Sequence, residues 1–151
     1  MSAHGAIDLN THSRPRAARR KLRVLIVEDE TLISLHLQDV LRDLGHSVSA
    51  VAPSLRTALA AAAGTPSDLA IVDVGLAGDG GDGVDTATAL LERHGVPSVL
   101  MTGASFAGMG DRIKAARPLA FLTKPCSDAD LERVLDIAVA HIDELGTESP
   151  L

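Results

Sequence analysis

Tryptophan and tyrosine are missing from this 151-residue chain, phenylalanine occurs only at Phe106 and Phe121, and Cys126 is the single cysteine. One cysteine excludes an internal disulfide, so nothing demands an oxidising compartment and a cytoplasmic setting is expected. With so few aromatics, Ala, Leu, Val and Ile must fill the interior. No apolar run reaches the roughly eighteen residues of a membrane span, and the arginine-bearing N-terminal stretch has no apolar h-region. A soluble protein with no membrane insertion is the expectation.

Basic charge is scarce once residues 1 to 23 are set aside. That stretch holds six Lys or Arg against Asp8 alone, leaving the remainder with eight basic and nineteen acidic side chains, and the whole chain at a formal charge of -6. An acidic body lacks the basic face that phosphate contacts require, which argues against a nucleic-acid partner and suits a cation site. At 46% hydrophobic content the chain supports one compact core.

Residues 1–21 mix Gly5, Asn10, Ser13 and Pro15 with arginines and show no apolar periodicity, so a disordered basic arm is expected, its charge serving solubility. Residues 22–145 are expected to form the folded domain, and residues 146–151 a flexible tail. Within the domain, apolar runs at Val24 to Val27, Val48 to Ala52, Leu69 to Val72, Val96 to Met101 and Leu119 to Leu122 predict five strands. A helix is predicted over Thr31 to Leu44, with Ile33, Leu37, Val40, Leu41 and Leu44 on one face and Gly45 as its stop. Another follows Ser127 as cap, with Asp130 reaching back and a stripe of Leu131, Val134, Leu135, Ala138, Ile142 and Leu145. Segments Ser54 to Ala63 and Val84 to His94 also read as helices. Ser105 to Ala116, with two internal glycines, reads as short or mobile. Strands apolar throughout, alternating with helices, predict a doubly wound α/β fold on a parallel sheet.

Ligands of such sheets bind beyond the carboxyl ends of the strands. The first strand runs into Glu28 and Asp29, the third ends at Asp73, the fourth at Thr102 and the fifth at Lys124. Three carboxylates, a hydroxyl and an ammonium therefore converge on one edge. Carboxylates held together repel unless a cation is bound or some stay protonated. Oxygen-only ligands with space for water and phosphate suit Mg²⁺, with Mn²⁺ as a substitute. One carboxylate would attack phosphorus in line while Lys124 and Thr102 meet charge on the phosphoryl oxygens. The histidines His36, His46, His94 and His141 share no spacing and read as surface or capping residues.

These residues resemble the response-regulator receiver family of two-component signalling over about Leu22 to Leu145. The resemblance rests on Val27-Glu28-Asp29-Glu30, Ile71-Val72-Asp73-Val74, Met101-Thr102-Gly103 and Phe121-Leu122-Thr123-Lys124-Pro125, in the family's order. It implies a flavodoxin-like (βα)5 sheet of strand order 2-1-3-4-5. It further implies that Asp73 is the phosphoacceptor, that Glu28, Asp29, Asp73 and the Gly75 carbonyl hold Mg²⁺, and that Lys124 contacts the phosphoryl group. Thr102 and Phe121 would form the switch, the ring turning inward when the hydroxyl moves toward phosphate, and Lys124-Pro125 is similar to a bond that members hold in cis. The loop Leu76-Ala77-Gly78-Asp79-Gly80-Gly81-Asp82-Gly83 is longer than in many members and lacks their proline, so it is expected to be flexible. With Leu100-Met101-Thr102-Gly103 it is similar to an atypical receiver subgroup carrying a Phe-Ala-Thr-Gly-type motif, known largely from alphaproteobacterial signalling, whose fourth helix tends to be short or disordered. Here Leu100-Met101 stands in place of Phe-Ala.

Two other classes fit parts of the pattern. The Asp and Gly run at 78–85 is compatible with a calcium-binding module, although it occurs once and repeat-type calcium loops need neighbours. An Asp-nucleophile phosphatase shares the layout, Mg²⁺ and a lysine, but such enzymes usually carry a second aspartate two residues beyond the nucleophile, where this chain has Gly75. The expected function is thus a stand-alone receiver with no separate substrate turnover. It would be phosphorylated on Asp73 by a sensor histidine kinase or histidine phosphotransfer protein. With no second domain expected after Leu145, output would pass to a downstream protein target, and relay, sink and effector roles stay open.

Overall fold

The computed structural model describes residues 20–103 and 108–147. Five strands, β1 (Arg23–Val27), β2 (Ser47–Ala52), β3 (Leu69–Asp73), β4 (Ser98–Thr102) and β5 (Ala120–Thr123), alternate with five helices: α1 (Thr31–Asp43), α2 (Leu55–Gly64), α3 (Gly83–His94), α4 (Gly110–Ala116) and α5 (Asp128–Thr147). The sheet is parallel throughout, in the order β2-β1-β3-β4-β5. This is the doubly wound, flavodoxin-like fold expected from the sequence.

Side chains alternate across each strand, and the two faces separate into two cores. Val24, Ile26, Ile71, Val99 and Met101 meet Leu37 and Leu41 of α1 and Leu131, Val134 and Leu135 of α5. Leu25, Val27, Ala70, Val72 and Leu100 meet Ala58 of α2, Val84, Ala87 and Leu90 of α3 and Ala116 of α4. Burial on both sides is why β1, β3 and β4 read as apolar runs, whereas the edge strands β2 and β5 stay partly exposed. At the amino end of the sheet the Arg23 guanidinium donates to both carboxylate oxygens of Asp68, at 2.9 and 3.1 Å. These bonds hold the Asp68 carboxyl below the usual carboxylate range.

Several boundaries differ from expectation for local reasons. β4 begins two residues late because the N–H of Val96 closes α3 by donating to the Leu90 carbonyl, behind Gly95 in the left-handed conformation (φ 67°), and Pro97 has no N–H to give. α1 stops at Asp43 with Leu44 as its cap and Gly45 at φ 92°. The Asp130 N–H donates to the Ser127 hydroxyl as predicted, but α5 continues to Thr147, two residues into the expected tail. α4 spans seven residues, the short element anticipated. The expected arm falls outside the described residues up to position 19, as do positions 148–151, Phe106 and the Leu145 side chain. No described helix is long and apolar enough to cross a membrane.

Candidate functional site

Four of the five strands deliver a part of the site at the carboxyl edge of the sheet, β2 being the exception. β1 ends in the buried Val27 and hands the chain to Glu28, Asp29 and Glu30, and β3 ends on Asp73. β4 ends on Thr102, and the chain leaving β5 carries Lys124, whose bond to Pro125 is cis. Glu28 (3% exposed), Asp73 (5%) and Thr102 (5%) are buried polar residues. Asp29, Glu30, Asp73, Gly75, Thr102, Gly103 and Lys124 line an open cleft of about 470 Å³.

Asp73 is held by both oxygens. The Gly75 N–H donates to Oδ1 at 2.9 Å, and Lys124 Nζ donates to Oδ2 at 3.0 Å. The same ammonium lies 3.1 Å from Glu28 Oε1 and 3.5 Å from Glu30 Oε2. One carboxylate oxygen from each of Glu28, Asp29, Glu30 and Asp73 falls within 4.8 Å of the other three. Convergence of residues nearly a hundred positions apart is what the sequence required, and the fold supplies it.

The electrostatics follow from burial. Desolvation pushes the Glu28 carboxyl above its usual range, outweighing the Glu30 N–H and the Lys124 ammonium that favour its charged form. Burial also works against the charge on Lys124, but the Asp73 and Glu28 carboxylates overcome it and its pKa is raised, so the ammonium stays protonated. Glu28 Oε2 accepts from the Glu30 N–H at 3.0 Å. Glu28 Oε1 is fully buried and makes no hydrogen bond, its charge being met by the Lys124 ammonium 3.1 Å away. Four converging carboxylates, with oxygen as the only donor element, fit a hard divalent cation.

Phe121 stands 44% exposed on β5. Two features were not foreseen in the sequence. Glu30 joins the acidic cluster, a role its adjacency to Glu28 and Asp29 could have suggested. The run at 78–85 is built into α3: Asp82 caps the helix by accepting from the Asp85 N–H, and Asp85 accepts from the Asp82 N–H. Arg112 of α4 donates to Oδ1 of both, at 2.6 and 3.0 Å. Desolvation opposes the ionised form of Asp82, yet Arg112 and the Asp85 N–H prevail and its pKa is lowered.

Comparison with known proteins agrees with this architecture. The model of the response regulator receiver domain matches residues 24–136. The transcriptional regulatory protein PdtaR of Mycobacterium tuberculosis is 33% identical over 123 residues, which cover 82% of this chain and 59% of that protein, so the chain spans less than two thirds of this relative. Among solved structures, the signal receiver domain of a modulated diguanylate cyclase from Desulfovibrio desulfuricans superposes with a TM-score of 0.76 at 31% identity, covering 82% of this chain and 98% of that one. The PhyR response regulator receiver domain of Erythrobacter litoralis superposes at 0.68 with 29% identity, covering 87% and 95%. Receiver domains are generally phosphoryl-accepting signalling domains rather than enzymes of substrate turnover, and generally bind Mg²⁺ through an acidic cluster. On its fold, its acidic edge and the match over most of its length, the chain belongs to the response regulator receiver domain family.

Proposed function

We propose that Asp73 accepts a phosphoryl group from a phosphohistidine of a sensor kinase or histidine phosphotransfer protein, and that the resulting change of shape is read by a partner protein in the cytoplasm. The observation that carries this reading is the Asp73 carboxylate, gripped by the Gly75 N–H and the Lys124 ammonium inside a cluster of four acidic groups. A carboxylate oxygen of Asp73 attacks phosphorus in line, the phosphorus–nitrogen bond breaks, and its electron pair leaves with the imidazole. The product is an acyl phosphate on Asp73.

Lys124 turns its ammonium from the Asp73 oxygen to a phosphoryl oxygen, and the Thr102 hydroxyl donates to another. Phe121, exposed beside them on β5, follows the hydroxyl inward and alters the face that a partner meets. Glu28, Asp29, Asp73 and the Gly75 carbonyl would hold Mg²⁺, or Mn²⁺ in its place. Bound there, the ion would neutralise charge on the phosphoryl group. The short α4, the glycine-rich loop without proline and the likeness to a PhyR receiver domain support membership of the Phe-Ala-Thr-type subgroup.

The competing readings lose support. Asp82 and Asp85 spend their oxygens on the α3 cap and on Arg112, which leaves a calcium loop at 78–85 poorly supplied. Gly75, two residues beyond Asp73, offers no side chain for the acid and base work of a phosphatase. Incubation with a panel of phosphorylated histidine kinases tests the proposal. One of them is expected to transfer label within seconds when Mg²⁺ is present, and Asp73→Asn abolishes the transfer. Equal labelling of the Asp73→Asn protein would overturn it.

A further inference from the structure

Resting on that reading of the cleft, we infer that Glu30 is a positioning residue whose charge, without direct ligation, strengthens the hold of the site on a divalent cation. Glu30 occupies the residue just before α1, where a polar side chain usually turns back to accept a backbone N–H of the first helical turn. Its side chain makes no such cap. The carboxylate leans instead toward Lys124, 3.5 Å from its ammonium, and one of its oxygens lies within 4.8 Å of oxygens from Glu28, Asp29 and Asp73. Capping therefore does not account for where it points.

A second observation aims at the same place. Glu28 Oε1 is fully buried and forms no hydrogen bond, and its one close partner is the Lys124 ammonium, 3.1 Å away, which Asp73 and Glu30 share. Lys124 supplies one positive charge to four acidic groups, so the cleft retains a field attractive to a second cation. Glu28 and Asp73 lie deep in the cleft, whereas the Glu30 side chain is 64% exposed. Its contribution to that field passes partly through water and is screened by salt, unlike that of the buried pair. Glu30 thereby makes cation affinity sensitive to ionic strength at its outer rim.

The test is Mn²⁺ binding to the full chain, followed by the electron paramagnetic resonance signal of the free ion, for the native protein and Glu30→Gln. The amide keeps the size and leaves the Glu30 N–H on Glu28 untouched. In about 20 mM salt, Glu30→Gln is expected to bind Mn²⁺ roughly 3- to 10-fold more weakly, and the gap is expected to close near 0.5 M salt. Glu92→Gln, an equal charge change at the far end of α3, serves as the control and is expected to shift affinity by less than about twofold. Unchanged affinity at low salt would overturn the role of Glu30 while leaving the site intact. A gap that persists undiminished at high salt would make Glu30 a direct ligand and overturn the screened role. Native binding that survives Asp29→Asn and Asp73→Asn alike would instead overturn the reading of the cleft itself.

Discussion

Burial makes ionisation of Glu28 costly in the folded state, and its pKa is raised by desolvation despite the ammonium nearby. An acid with a raised folded pKa favours the fold less as pH climbs from the ordinary glutamate value through the folded one, because the folded state binds the extra proton over that interval. The neutral isostere removes that cost. Glu28→Gln is expected to raise stability at pH 7 by about 0.5–1.5 kcal/mol while weakening Mg²⁺ binding, a gain that fades below the ordinary carboxylate range. Urea unfolding at pH 7 and pH 4 in chelator, with Mg²⁺ titration calorimetry, checks both halves. Ser98 presents a simpler case: its hydroxyl is buried at 1% exposure and has no hydrogen-bond partner. Ser98→Ala discards an unpaired polar atom, so stability is expected to hold or to rise by up to about 1 kcal/mol in the same unfolding measurement.

Among the elements, α3 packs closely against the backbone of Asp73, the proposed acceptor. A Cβ added at Gly83 would come within 1.9 Å of the Asp73 carbonyl oxygen and 2.7 Å of the Val74 Cα, so the first turn of the helix lies against the backbone of Asp73 and Val74. Gly83→Ala must displace one or the other and is expected to cost about 2–3 kcal/mol, read as a shifted urea midpoint, together with slower labelling of Asp73. The glycines before α3 were legible as a loop, but their purpose was not. A pattern of Asp and Gly suggests flexibility or calcium until the reciprocal cap of Asp82 and Asp85 is seen, and the contact with Arg112 across 27 and 30 residues has no sequence signature. Arg112 also ties α4 to the start of α3, and Met109, the residue before α4, gives no side-chain cap. Arg112→Ala is expected to change global stability by less than about 1 kcal/mol, as befits an exposed pair, yet to speed hydrogen exchange throughout residues 110–116. The depressed Asp82 pKa means that this clamp persists above the ordinary aspartate range and loosens only as pH falls through the lowered folded value.

At the scale of the whole molecule, the site is a property of topology. Parallel strands covered by helices announce themselves as apolar runs, which is why five strands, their alternation with helices and the polar residue at the carboxyl end of all but the second could be read from Val24, Leu69, Val99 and their neighbours. Strand ends were less legible, since Pro97 and the turn at Gly95 decide where β4 starts through hydrogen bonds that apolarity does not encode. The strand sequence likewise named Asp73 and Lys124 but not how they meet: one ammonium serves Asp73, Glu28 and Glu30 together, a sharing that depends on side-chain reach across three strands. This shared edge would make Asp73, alone among the aspartates, a phosphoryl acceptor. The most direct measurement is intact-mass and peptide mass spectrometry after reaction with a phosphorylated kinase in Mg²⁺. A gain of one phosphate is expected, confined to the peptide containing Asp73, absent in chelator and absent in Asp73→Asn. A phosphate found on another residue, or on Asp73 with no need of a divalent cation, would contradict it.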